Sequence, residues 1–402
     1  MLVEPAVEIA LPVLHEKQAH VEAHARRFNL VRAGRRWGKD VLGERRLIRR
    51  VSNVASQSWY APSYRMMVEN YQSIHNRIAP IVTRATESLH RLELVNGAVI
   101  KFWSLDNFDA ARGQKDGHVT INEAAAAPNL KEAWQNVIRP TLADLEGGAD
   151  FWSTPRGLNF FYELERDNKD WGVFHFTTYD NPYIPRGEIE AMKASLPETV
   201  FRQEILAEYV ESGAFFQNID EVCVIDAPAN PKDHAGHAFS AGLDLALTED
   251  FTRLLVLCRT CSKAVDWWGG NRMDYFMQRG HIMDTLKKWP GVVLLPERNS
   301  MGVPNIEEFH RDGITLGKGP DKGFGFQTTS TTKADLILGL ALAMQKKEVQ
   351  LPREYADELR AYEVEMTAAN PKFSAPSGQH DDRVIAAALA WWNATNVTWW
   401  MS

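Results

Sequence analysis

The stretch FNLVRAGRRWGKDVLGERRLIRRV, residues 28–51, decides the fold. Its first seven residues are apolar enough for a buried strand. From Lys39 onward, Val41, Leu42, Leu47, Ile48 and Val51 recur at helical spacing. Between the two lies Gly34-Arg35-Arg36-Trp37-Gly38-Lys39-Asp40. A strand, a tight glycine turn and a helix opening on lysine make a phosphate cradle. The turn exposes backbone N–H groups, the helix N-terminus adds positive potential, and the lysine reaches the outer phosphates. The turn is compressed and rich in arginine, and Asp40 stands where a Ser or Thr commonly ligates Mg²⁺. The plainer alternative is a basic turn that caps a helix.

Working outward, SWYAPS (58–63) reads as a second short strand. LELVNGAVIKFW (92–103) reads as a hairpin turning at Asn96-Gly97. HVTIN (118–122) and ADFWST (149–154) are further strands, and helical stretches fall at 128–138, 157–168 and 186–210. Alternating strands and helices predict an α/β fold with a parallel sheet. Val119-Thr120-Ile121-Asn122-Glu123 has the form of a Walker B segment, in which a first carboxylate supports the metal and a second orients the attacking water. Here Asn122 holds the first position and Glu123 the second. Across Asp40 and Asn122 the formal charge equals that of the usual hydroxyl and carboxylate. Asp40 is therefore read as taking over the anionic support of Mg²⁺, with Asn122 beside it. The competing reading is a degenerate site.

Composition sets the bounds. The chain has 402 residues, 45% hydrophobic and 24% charged, which excludes a disordered chain. No run approaches the roughly 18 apolar residues of a membrane helix, so no membrane partner is expected. The N-terminus carries acids where an export signal carries bases. Three cysteines build no disulfide framework and suggest a reducing compartment. Cys258-x-x-Cys261 lacks a second cysteine pair, which argues against zinc. The net charge of −7 excludes a protein that coats nucleic acid through overall basicity. Residues 1–50 hold 11 basic and 6 acidic side chains, whereas residues 201–402 hold 20 against 27. Any polyanion would meet local basic patches, and the acidic second half suits carboxylates that await metal.

Composition changes between Gly213 and Pro231. The expected organisation is a first domain over 1–212, a linker over 213–230 and a second domain over 231–402. The second part restarts with AFSAGLDLAL, RLLVLC and AVDWWG as strands, a helix over 272–288 and the strand GVVLLPE. Asp244 sits in apolar GLDLAL, Glu297 ends VVLLPE, and Asp381-Asp382 open the apolar helix HDDRVIAAALAWW. An acid on a buried-looking element is costly unless it meets a partner or a metal. Three such segments suit two divalent ions that promote phosphodiester cleavage. Asp244, Glu297 and Asp381 are the preferred ligands, with Asp250 and Asp382 in reserve. Asp382 can instead favour its helix dipole. Lys333 opposes a helix dipole, so contact with a DNA backbone is weighed against an ordinary solvated lysine. Trp391, Trp392, Trp399 and Trp400 read mainly as a packing stripe.

Taken together, these motifs resemble the large terminase subunit of tailed bacteriophages, over almost the whole chain. The resemblance implies an additional-strand P-loop ATPase followed by an RNase H-like nuclease. It matches Gln18 to an adenine-contacting glutamine, Arg35 to a side chain that turns toward the γ-phosphate, and Arg112 to an arginine finger reaching a neighbouring subunit. Arg139 competes for that last role, and Arg112 can instead pair with Asp109 or Asp116. Ser153-Thr154-Pro155 matches the motif that couples hydrolysis to movement. ATP, Mg²⁺ at the ATPase and two Mg²⁺ or Mn²⁺ at the nuclease follow as expectations. So do double-stranded DNA, a portal protein, a small terminase subunit and a ring on the prohead, with a pentamer as the expected form. The implied location is the host cytoplasm, transiently on the prohead and not in the mature virion. The rivals are a helicase–nuclease of repair or defence, which needs a second RecA-like domain, and a weakened prophage-derived DNA-binding protein.

Overall fold

The computed structural model describes residues 9–52, 56–210, 215–246, 251–298, 302–366, 371–374 and 381–396. Asp250, Trp399 and Trp400 lie outside the described residues. Two compact units divide the chain, Met1–Glu211 with Met366–Ala369 and Ser212–Glu365 with Asn370–Ser402. Within the stretch 213–230, Ile219–Val222 is helical and Cys223–Ile225 pairs with Leu351–Pro352.

The first unit is built on an eight-stranded sheet. Its strands are β1 (Phe28–Ala33), β2 (Ser56–Ala61), β3 (Val82–Thr86), β4 (Arg91–Leu94), β5 (Val99–Ser104), β6 (His118–Ile121), β7 (Gly148–Ser153) and β8 (Gly172–Phe176), in the order β3-β4-β5-β2-β6-β7-β1-β8. From β5 to β8 all neighbours are parallel, while β3, β4 and β5 pair antiparallel. Every residue of β6 and β7 is buried, as expected of central parallel strands covered on both faces. The 96–97 turn closes β4 onto β5, with Gly97 at φ 81. The helix expected over 186–210 is two helices, Arg186–Ser195 and Glu198–Glu204. Pro197 parts them, because a proline pushes the residue before it out of helical geometry, and Leu196 is extended.

α1 (Glu16–His24) and α2 (Lys39–Arg50) flank β1 in sequence. α2 is pinned to the sheet from below by a buried charge. Asp150, fully buried on β7, accepts from Arg46 Nε at 2.9 Å, Arg50 at 2.9 Å and Asn29 Nδ2 at 2.7 Å, with His118 Nε2 at 3.1 Å. Arg45 and Arg49, on the same helix, pair with Glu22 of α1. Much of the basic surplus of residues 1–50 is therefore neutralised within the unit rather than offered to a polyanion.

The second unit carries β9 (Cys223–Ile225) and a five-stranded sheet of β10 (Phe239–Asp244), β11 (Thr252–Cys258), β12 (Lys263–Gly270), β13 (Val293–Pro296) and β14 (Thr315–Leu316). The order is β12-β11-β10-β13-β14, with the first three strands antiparallel and the last two joined in parallel to β10. This is the RNase H-like arrangement. The helix Asp382–Asn396 lies directly on β10. Gly242 permits that approach, since a Cβ there would stand 2.3 Å from both Ala386 O and Ala390 N. Ser240 Oγ donates to Ala390 O, and Asn393 Nδ2 donates to Ala241 O and Val293 O. The small residues Ala386, Ala387, Ala388 and Ala390 are buried against the sheet, which brings the helix start toward the end of β10.

Candidate active sites

The phosphate loop leaves β1 and is fixed from several sides. Arg36 (φ 63) and Gly38 (φ 99) take left-handed backbone. At Gly38 a Cβ would also meet Gln18 Nε2 at 2.5 Å, so this position demands glycine. Trp37 is buried and stacks on Phe176 with centroids 4.9 Å apart. Thr178 Oγ1 donates to Arg35 O and Asn181 Nδ2 to Arg36 O. Gln18 is buried, donates to Gly38 O at 2.8 Å and accepts from the His15 backbone N–H. It holds the edge of the loop. Arg35 is 71% exposed and stands 3.6 Å from Glu204.

Lys39 opens α2 and is buried. Its ammonium donates to Thr154 Oγ1 at 2.8 Å and Ala33 O at 3.3 Å, and lies 3.3 Å from Glu123 Oε1. Glu123 follows β6 at φ 44, a strained conformation for a non-glycine residue. Its other oxygen accepts from Ser153 Oγ at 3.3 Å and the Thr154 N–H at 3.4 Å. Ser153 also accepts from the Ala125 N–H, and Thr154 Oγ1 donates to Ala33 O. Ser153 and Thr154 thus bond both the phosphate-loop strand and the segment after β6, with Pro155 buried beside them. Lys39 and Glu123 are thus both hydrogen-bonded to this strand end.

Asp40 keeps an exposed edge, yet its carboxyl is pushed above the usual range by lost hydration and by the Glu123 charge. Lys39 and a hydrogen bond with the Asn122 side chain oppose this rise. Asn122 is buried and its Oδ1 has no hydrogen-bond partner. Asp40, Glu123 and an unsatisfied carboxamide oxygen form an all-oxygen set, which fits a small hard cation such as Mg²⁺. Asn122→Asp should therefore add a third carboxylate to a crowded pair and lower ATP turnover. Asp40→Thr should lower it by removing the anionic support. Turnover of the double variant under Mg²⁺ titration should exceed the product of the two single effects, as expected of neighbours that share one ligand. A large gain from Asn122→Asp alone would favour the degenerate-site reading.

In the second unit four acids converge. Asp244 ends β10, and Glu297 follows β13 with its N–H donating to Leu243 O at 2.8 Å. Burial pushes the Asp244 carboxyl well above its ordinary value. The charges of Glu297, Asp382 and Asp381 and a hydrogen bond with Glu297 add to the rise. Such crowding of carboxylates is what divalent ions relieve, so the donor set fits metal. Thr328 Oγ1 donates to Glu297, and Lys333 donates to Asp381 at 3.1 Å. Lys333 thus has a carboxylate partner that explains a cation near a helix start. Asp382 is buried while Asp381 is half-buried, so both belong to the cluster. Trp392 meets Phe326 edge-on at 5.4 Å, a packing contact.

Known proteins place the chain. The family model for the terminase large subunit, T4likevirus-type, N-terminal part, matches residues 33–222. The terminase large subunit of Thermus virus P23-45 is 26% identical over 321 residues, covering 72% of this chain. That of Escherichia phage T5 is 31% identical over 137 residues, covering 33% of this chain and 31% of its own. Over these stretches the chain is similar to phage large terminase subunits. The match spans 64% of the Thermus virus protein's length, under two thirds. A solved large terminase from a thermophilic bacteriophage shares the fold, with a TM-score of 0.53 and 14% identity over 95% of this chain and 98% of that one.

The two arginine-finger candidates differ in their surroundings. Arg112 is 57% exposed and bonds Asp109 at 2.7 Å, the local pair weighed above, while Asp116 is buried against Lys101. Arg139 rides on the Phe28 ring at 4.7 Å, and burial lowers its pKa. Arg139 is thus committed to packing, whereas Arg112 faces outward. Arg156 escapes the site residues chosen by sequence. Burial lowers its pKa, and the charges of Glu123 and Glu204 hold it up while Arg35 opposes them. The only sequence signal is its place directly after Ser153-Thr154-Pro155.

Proposed function

We propose that this protein is a DNA-packaging motor subunit that hydrolyses ATP to translocate double-stranded DNA into a prohead and cuts concatemers with a metal-dependent nuclease. The observation that carries it is the buried contact of Lys39 with both Glu123 and Thr154, which joins nucleotide chemistry to the Ser153-Thr154-Pro155 strand end. Phosphates would lie on the N–H groups of the 34–39 loop, with Lys39 on the outer ones. Glu123 would leave Lys39 to accept a proton from the attacking water. Mg²⁺, held by Asp40 with Asn122, would neutralise phosphate charge. Arg35 is free enough to turn toward the γ-phosphate, and Arg112 to reach a neighbouring subunit in a ring, with five subunits as the working number. In the second unit Asp244, Glu297, Asp381 and Asp382 would hold two Mg²⁺ or Mn²⁺, with Asp250 in reserve. The reading includes a portal protein and a small terminase subunit as partners, and action in the host cytoplasm at the prohead. No helix among the described residues is long and apolar enough to cross a membrane.

Asp244→Ala, Glu297→Ala and Asp381→Ala should each abolish Mn²⁺-dependent plasmid cleavage while ATP turnover stays within about twofold of the parent. Agarose assays of nicked and linear product, beside phosphate release, check this. Retained cutting in two of the three variants would sink the ligand assignment.

A further inference from the structure

A cluster of two histidines and two cysteines lies in the second unit, away from the acids. By sequence Cys258-x-x-Cys261 lacks a second cysteine pair. In the fold the missing pair is His234 and His237, and the four ligand atoms all lie within 4.8 Å of one another. Two of the contacts are already at metal-site spacing. His237 Nδ1 is 3.3 Å from Cys258 Sγ, and His234 Nδ1 is 3.7 Å from Cys261 Sγ. A zinc tetrahedron with bonds of 2.0–2.3 Å has edges of roughly 3.3–3.8 Å. We propose that His234, His237, Cys258 and Cys261 bind one structural zinc ion.

The fold prepares both halves. Pro231–His234 is a 3-10 turn capped by Asn230, and the His237 N–H returns to His234 O at 3.0 Å, so His-x-x-His closes on itself. Phe239 then enters β10 directly opposite Cys258, the last residue of β11. The Arg259 N–H donates to Ala238 O at 2.8 Å, locking the turn that carries Cys261 beside the histidine segment. Cys258 is buried, and the other three are half-buried.

The chemistry selects the ion. Two thiols and two imidazoles are soft or borderline donors that suit zinc, whereas the all-carboxylate cluster suits Mg²⁺ or Mn²⁺. Four protein ligands leave no open position, so the site is structural. It also lies at the opposite end of β10 from Asp244. Five residue steps at about 3.3 Å place the two roughly 17 Å apart along the strand. Zinc here would clamp the segment entering β10 to the β11–β12 turn, holding the strand that presents Asp244.

The test uses the full chain purified with reductant. Elemental analysis should find about one zinc per chain after gel filtration, still present in Asp244→Asn and lost in Cys261→Ser. Since Cys261→Ser could fail to fold, the parent chain is also stripped and reloaded with Co²⁺. Intense tetrahedral d–d bands and a thiolate-to-cobalt charge-transfer band should appear, and one equivalent of Zn²⁺ should bleach them. Thermal melting of the zinc-loaded chain should exceed that of the stripped chain. Absence of both zinc and the thiolate–cobalt band in reduced protein would overturn the proposal. So would zinc that survives Cys261→Ser but leaves with Asp244→Asn, or a Cys258–Cys261 disulfide found by mass in chain isolated without reductant.

Discussion

Glu123→Gln is expected to lower ATP turnover by about 10²- to 10⁴-fold, the usual scale for losing a general base, while nucleotide affinity stays within a few-fold. The glutamate is held ready rather than free. One oxygen faces Lys39 at 3.3 Å, and the other accepts from Ser153 and the Thr154 N–H. Glutamine keeps the shape and an acceptor oxygen, so the loop and its phosphate contacts persist. What disappears is the carboxylate proposed to take the proton. Lys39→Ala is different, because it removes the proposed phosphate ligand and should weaken binding as well as turnover. Fluorescent-nucleotide titration beside single-turnover phosphate release separates the two. A Glu123→Gln loss under tenfold would mean that another group orients the water, and Asp40 would be the next candidate. Ser153→Ala is the companion measurement. On the proposed roles it leaves Glu123 in place but cuts its bond with Ser153, so packaging should fall further than ATP turnover.

The first unit was legible where short-range patterns dictate the answer. The Phe28–Ala33 strand, the glycine turn and α2 form one continuous signal, and the Asn96-Gly97 hairpin another. The edge strand Gly172–Phe176 was not, because GVFHF alternates buried and exposed positions weakly and carries no turn signal at its end. The helix Tyr64–Ile78 was passed over although Met67, Tyr71, Ile74 and Ile78 recur at helical spacing on its buried face. The acids of the second unit were legible because each stands at the edge of an apolar run. Lys333 was half legible: its misfit with the helix dipole announced a partner, but only the fold brings Asp381 across 48 residues to meet it. The histidine–cysteine cluster was the least legible. It depends on the register that sets Phe239 opposite Cys258, and no local spacing encodes that pairing. Asp150 belongs to the same class. In ADFWST it reads as one acid in a strand, with nothing nearby to name Arg46, Arg50 and His118 as its partners.

Asp150→Ala is expected to destabilise the first unit by about 3–5 kcal/mol, the scale for removing one partner of a buried ion pair. For a unit of this size, each kcal/mol shifts the melting temperature by roughly 2–4 °C, so a drop of about 6–20 °C should be seen by calorimetry. The cause is the uncompensated charge left behind. Arg46 is 4% exposed and loses two hydrogen bonds to the carboxylate, while Arg50 loses one. Double replacement of Asp150 and Arg46 by apolar residues of similar volume should recover part of the loss, since neither then leaves a buried charge. The pH dependence has a defined sign. Burial alone would raise the Asp150 carboxyl, but Arg50, Arg46 and His118 outweigh it and hold it well below 3.8. The ionised form is thus favoured by the fold, and its stabilisation is complete above 3.8 and lost as the pH falls through the lower folded value. His118 is shifted below 6.5, chiefly by burial, so folding prefers its neutral ring and stability begins to fall as the pH drops below 6.5. The parent and Asp150→Ala should therefore differ most near neutral pH and converge in strong acid, where the parent carboxylate is protonated too. A constant gap from pH 7 to pH 2, or a loss under about 1 kcal/mol, would show that Arg46 and Arg50 find solvent readily and that α2, with Lys39 and Asp40 at its start, is not held by this charge.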